Sequence, residues 1–316
     1  MTEGQAEITA RSAFGEITER FGYAVVSAGS GEDALAAARL IAGGLYLSGA
    51  QVFMTCEPVP VASLPFYSPC PEETVAVATG SFGSRKHLVI LPEGAELSSA
   101  KERGIPDAEG YKSGVESGKI VLAQSFGYGK YVRAFSERFL PDSGGDFAGR
   151  KSGGCLFFKE GEFGGLFVRA AKKTALYSPM NGRAFRSLPH ILTLAGFGDV
   201  RAAEKEAYPS RCARIGVDTD EGLLRAAGSI AAECGEDVLF VSDPSGRKLL
   251  IGVKEKGKVG ILGDEEIKER LGALLKAEKA LGGVSFECRN GLYLKASGLR
   301  VPDAAAAAIY AVMACV

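Results

Sequence analysis

Short apolar runs alternate with helical stretches along most of this chain, and that alternation leaves few architectures open. Tyr23-Ala24-Val25-Val26 has the look of a buried strand. Glu32 to Leu47 follows, rich in Ala and Leu at helical spacing and acidic at its start, which predicts a helix. Gln51 to Thr55, Thr74 to Thr79, Leu88 to Leu91 and Lys119 to Ala123 read as further strands, and Tyr131 to Phe139 as a helix. The polar, Gly-rich stretch Leu140-Pro141-Asp142-Ser143-Gly144-Gly145-Asp146 marks a domain boundary.

A second round begins beyond it. Thr174 to Ser178, Asp237 to Val241 and Lys248 to Lys254 predict strands. Gly182 to Gly196 predicts a helix, with Pro189 marking a kink or restart, and Asp220 to Cys234 predicts an amphipathic one. The last section reads as a charged helix, Asp264 to Leu281, a hairpin of Val284 to Cys288 with Gly291 to Lys295, and an Ala-rich helix from Pro302 to Val316. About fifty residues of this kind are too few for a core of their own. They are expected to pack on the second domain or to be what remains of a third.

Composition narrows the function. With 37 Lys and Arg against 38 Asp and Glu, the net charge of −1 speaks against nucleic acid as a partner. The 2 histidines exclude a site built on three imidazoles. His190, beside Leu188 and Ile191, is expected in the core or at its boundary, and His87, beside Lys86, at the surface. The 7 cysteines are scattered and the opening residues are polar, so reduced thiols and a cytoplasmic location are expected. Ala304 to Val316 falls well short of the roughly 20 apolar residues of a membrane span.

Two turns carry candidate chemistry. Thr79-Gly80-Ser81-Phe82-Gly83-Ser84-Arg85-Lys86-His87 combines hydroxyls, glycines and cations after an apolar strand. Exposed backbone N–H groups with Arg85 and Lys86 suit a phosphate; a glycine turn with a solvated basic tip fits the same residues. Val241-Ser242-Asp243-Pro244-Ser245-Gly246-Arg247 is again a turn after an apolar strand, either a ligand loop or a tight turn set by Pro244 and Gly246.

The order of these pieces resembles the α-D-phosphohexomutase family of phosphoglucomutases and phosphomannomutases. Val25-Val26-Ser27, through a helix to Gly49-Ala50-Gln51-Val52 and Glu57-Pro58-Val59-Pro60, resembles the family's opening strand, helix and V-P-T-P segment. Val77-Ala78-Thr79-Gly80-Ser81 with Leu91-Pro92-Glu93-Gly94-Ala95-Glu96-Leu97 resembles its T-A-S-H-N-P loop and the P-D-G turn. Leu176-Tyr177-Ser178-Pro179-Met180-Asn181-Gly182 with Leu188-Pro189 resembles the V-D-P-M-N-G opening of its second domain. Gly235-Glu236-Asp237-Val238 through Arg247 to Gly263-Asp264 stands in the place of its metal loop.

The resemblance implies an α/β chain of two consecutive mixed-sheet α/β/α sandwich domains plus a short C-terminal α+β remnant of a third. The expected extents are 1–142, 143–262 and 263–316. It places Ser81 on the family's phosphoserine and Arg247 on its metal-loop Arg. Arg85, Lys86, Arg247 and Glu287 are expected to bind substrate, Glu287 as the surviving carboxylate of the sugar motif in Phe286-Glu287-Cys288-Arg289-Asn290. The departures are as informative. Phe82 and Gly83 stand where His and Asn follow the serine, and the metal loop's Asp positions carry Ser242, Pro244 and Gly246, with Asp243 shifted by one. On this resemblance the family's N-terminal phosphate loop and fourth domain are expected to have no counterpart. The expectation is therefore a mutase-like protein without mutase activity and without a metal. It would bind a phosphosugar or phosphate, or assemble with a like subunit, and take neither nucleic acid nor membrane as partner. The alternative is a divergent phosphosugar mutase or phosphatase with Ser81 as phosphoryl carrier and Mg²⁺ as cofactor. A third reading keeps the likeness architectural only.

Overall fold

The computed structural model describes residues 22–47, 49–82, 85–90, 119–123, 127–131, 172–203, 217, 219–271, 284–296 and 302–315. The boundary read at 140–146 and the P-E-G turn at 91–97 lie outside the described residues.

The first layer is a sheet of five strands: β1 (Tyr23–Ser27), β2 (Gln51–Thr55), β3 (Thr74–Phe82), β4 (Arg85–Ile90) and β5 (Lys119–Ala123). They lie in the order β4-β3-β1-β2-β5, parallel except for the β3–β4 hairpin. Both faces are buried, which is why β1 and β3 read as unbroken apolar runs. Helix α1 (Glu32–Leu47) covers one face, packing Ala38, Ala42 and Leu45 on Val26, Val52 and Val77. A 3₁₀ segment, Val61–Tyr67, covers the other with Val61 and Leu64.

The second sheet repeats that plan. Its strands are β6 (Thr174–Ser178), β7 (Asp199–Ala202), β8 (Val238–Ser242), β9 (Leu249–Glu255) and β10 (Lys258–Ile261). β6 is flanked by parallel β7 and β8, and β8 pairs with antiparallel β9, as β1 is flanked by β2 and β3 and β3 pairs with β4. Helix α2 (Ser187–Leu194) lies on one face and α3 (Asp220–Glu233) on the other, with Leu223, Ala227 and Ala231 inward. After α4 (Asp264–Arg270) the hairpin β11 (Val284–Cys288) and β12 (Leu292–Ala296) joins the same sheet, Leu292 pairing with Leu249. Helix α5 (Ala304–Cys315) packs on α2, β12 and β9, and Ala304 to Ala308 are at most 2% exposed. A helix apolar on every side belongs inside. Among the described residues no helix is long and apolar enough to cross a membrane.

Two sequence expectations need correcting, the start of one helix and the part its proline plays. The helix read over 182–196 begins only at Ser187, because the turn 183–186 follows the β6 exit. Pro189 therefore sits in its first turn, where no N–H is needed, and neither kinks nor restarts it. β10 lies in the charged stretch after Lys254, which periodicity did not resolve. Of the helices read at 131–139 and 264–281, the described residues reach only Tyr131 and Leu271.

Candidate functional site

The loops leaving the carboxyl ends of the strands meet between the two sheets. The β6 exit, Pro179-Met180-Asn181-Gly182, holds Met180 at φ 49° and Asn181 at φ 55°. Gly182 follows because a Cβ there would stand 2.4 Å from the Pro244 backbone. The β6 and β8 exits are thus packed backbone to backbone, and the Arg183 N–H donates to the Pro244 carbonyl at 3.0 Å.

Arg183 then crosses to the first sheet. Its side chain is 2% exposed. Nη1 donates to Ser27 Oγ at 2.9 Å and to the Val59 carbonyl at 3.1 Å. Nη2 donates to the carbonyls of Ser27 at 3.0 Å and Thr79 at 2.7 Å. The guanidinium lies 5.6 Å from the Phe82 ring centre. Burial pulls it down to about 9, so it stays charged at neutral pH. The crevice at the carboxyl ends of β1 and β3, where open α/β sheets take ligands, is filled by a side chain from the β6 exit of the second sheet.

Beside this contact is a cleft of about 200 Å³ lined by Phe82 from the first sheet and by Thr219, Asp220, Asp243, Arg247, Lys248 and Tyr293 from the second. Lys248 is 4% exposed and its ammonium is bonded to Asp220. The other Asp220 oxygen accepts from the Asn290 amide at 2.9 Å. The Lys248 hydrogen bond, with that of Asn290, holds the Asp220 carboxyl below its ordinary value. Burial raises the Tyr293 phenol to about 12, and the carboxylates of Asp243 and Asp220 push the same way.

Asp243 caps its own turn. One oxygen accepts the N–H groups of Arg247 at 2.8 Å and Lys248 at 2.7 Å, and the other accepts the Ser245 hydroxyl. The family's metal does not fit these residues. In the turn, Ser242, Pro244 and Gly246 supply no carboxylate, and its one carboxylate, Asp243, already accepts three donors. Among the described residues no group of three or more His, Cys, Asp or Glu could hold a metal ion.

The sequence-predicted residues fall around this cleft unequally. Arg247 lines it. The backbone of Ser81 lies on β3 between Gly80 and Phe82, and Arg85 pairs with Phe82 across the hairpin; the side chains of Ser81 and Arg85 lie outside the described residues. Lys86 is exposed on β4 and is not part of the cleft wall. Glu287 is exposed on β11, directly opposite Tyr293. His87 is half-buried rather than at the open surface. His190, expected in or near the core, is exposed and lines a second cleft, of about 340 Å³, with Glu57, Tyr67 and Arg186. Sequence reasoning missed Arg183, Lys248, Asp220 and Tyr293. Arg183, Lys248 and Asp220 each act through a partner at least 28 positions away in the chain, which no local pattern announces.

No protein-family model and no curated protein sequence matches the chain. Solved structures do. A phosphoglucomutase/phosphomannomutase family protein from Burkholderia thailandensis superposes with a TM-score of 0.64 at 13% identity, over 99% of this chain and 73% of that one. A structure assigned as a phosphomannomutase from Thermus thermophilus gives 0.61 at 14%, over 99% and 77%. The open form of parafusin, a phosphoglucomutase from Paramecium, gives 0.56 at 10%, over 98% and 66%. The chain has the phosphohexomutase-like fold that the order of its motifs implied; at these identities the likeness establishes the fold alone.

Proposed function

We propose that this phosphohexomutase-fold protein binds a phosphosugar or phosphate in the cleft between Phe82, Arg247 and Tyr293 and does not interconvert it, serving as a binding or assembly module. The supporting observation is the Asp243 turn, whose single carboxylate is spent on Arg247 N–H, Lys248 N–H and Ser245. Phosphoryl transfer rests on positioning and on neutralising charge as it develops. A turn closed on itself still presents Arg247 to an oxyanion but supplies no metal-centred neutralisation.

Calorimetry with glucose 6-phosphate, mannose 6-phosphate and inorganic phosphate tests the reading. Binding is expected, weakened about tenfold or more by Arg247→Ala, since a charge-assisted hydrogen bond to an anion is among the stronger single contacts. A coupled assay should detect no conversion of hexose 1-phosphates to 6-phosphates. Conversion that Ser81→Ala abolishes, with phosphate found on Ser81 by mass spectrometry, would establish the divergent mutase instead.

A further inference from the structure

Lys248 occupies an unusual position for an ammonium. Only 4% of the residue is exposed, yet it lines the same cleft as Arg247. Three elements hold it there. Asp220, first residue of α3, accepts from it. Asn290, in the β11–β12 turn, bonds the other Asp220 oxygen. Asp264, first residue of α4, in turn accepts the N–H groups of Asn290 at 2.8 Å and Gly291 at 3.0 Å. Gly291 takes φ +127°, and a Cβ on it would come within 2.9 Å of Lys248 Cγ, so the turn backbone lies directly against the lysine stem.

The charges of the cleft wall balance. Asp220 and Asp243 face Arg247 and Lys248, which leaves no surplus of negative charge to draw a divalent cation into a site whose Asp243 oxygens already accept three donors. Asp220 is half-exposed, so an entering oxyanion can share the ammonium while the carboxylate turns toward water.

We propose that the cleft takes its oxyanion without a divalent metal, with Lys248 supplying as a fixed ammonium the charge that a bound metal supplies elsewhere. This rests on the reading of the cleft as a phosphate site, and the test separates the two. Mn²⁺ titration followed by electron paramagnetic resonance should show no bound ion. Calorimetry with inorganic phosphate and glucose 6-phosphate should give the same affinity in EDTA as in millimolar MgCl₂. Lys248→Met should weaken phosphate binding about tenfold or more, and Lys248→Arg should restore part of it. Asp220→Asn, which keeps the side chain's shape and a carbonyl acceptor for Lys248, should tighten binding by removing the competing charge. Phosphate binding that requires Mg²⁺, stoichiometric Mn²⁺ lost on Asp243→Asn, or weaker binding in Asp220→Asn would each overturn the proposal. If neither phosphate ligand binds in either buffer, the phosphate-site reading fails and Lys248 loses its assigned role.

Discussion

Arg183 donates to the carbonyl oxygens of Ser27, Val59 and Thr79 and to Ser27 Oγ, and a methionine of similar length there would withdraw these donors, leaving Ser27 Oγ only the Thr55 hydroxyl. Buried acceptors stripped of their partners cost about 1–3 kcal/mol each before relaxation. Arg183→Met is therefore expected to lower stability by about 3 kcal/mol or more, and to split urea unfolding into two transitions as the sheets lose their tie. Gly182→Ala is expected to be as damaging for a different reason. Its methyl would stand 2.4 Å from the Pro244 Cα, a clash with backbone that no rotamer relieves. The two changes differ in one readout: only Gly182→Ala should disturb the Asp243 turn, and with it phosphate binding by the cleft.

Helix α5 shows how a composition becomes an interface. Alanine has the highest helix propensity, and its small side chain lets the helix axis approach α2 and the second sheet closely. Ala307 is fully buried. Ala307→Leu is expected to cost about 1–3 kcal/mol by overpacking, read as a lower urea midpoint. Elements of this kind were legible in the sequence because burial and spacing agree: α1 runs from Glu32 to Leu47 as its periodicity predicts, and β2 and β5 have the predicted ends. β7 was not legible. It has four residues, none fully buried, and its place is fixed by parallel pairing with β6 rather than by an apolar run. α2 read too long because Ala184, buried in the turn before it, stands one helical turn ahead of Leu188. The candidate site was half legible. Its turns and Arg247 follow from the motif order, while the Lys248–Asp220–Asn290 network depends on contacts across up to 70 positions.

Asp303 ties the pieces together from within. It is 2% exposed, accepts the Ala305 N–H at 2.8 Å at the start of α5, and lies beside the Tyr131 phenol. Burial lifts its carboxyl from 3.8 to about 6, against the lowering by the N–H groups of Ala305 and Ala306. The folded state thus holds this proton more tightly than the unfolded chain. The associated stability, about 3 kcal/mol, is fully present below pH 3.8 and is lost as the pH rises through about 6. Urea midpoints measured from pH 4 to pH 7 should fall with rising pH in the native protein and show a flatter profile in Asp303→Asn.

The second sheet has a further property that follows from the order in which its parts are made. All five strands of the first sheet precede residue 124, whereas the second draws on segments from Thr174 to Ala296 and is covered on one face by Ala304–Cys315. As the chain leaves the ribosome, the first layer is complete while Phe240, Ile251 and Leu192 still wait for the helix that shields them. Transiently uncovered apolar faces are where nascent chains associate wrongly. Until Ala304–Cys315 emerges, that face of the second sheet is the surface a chaperone would have to cover.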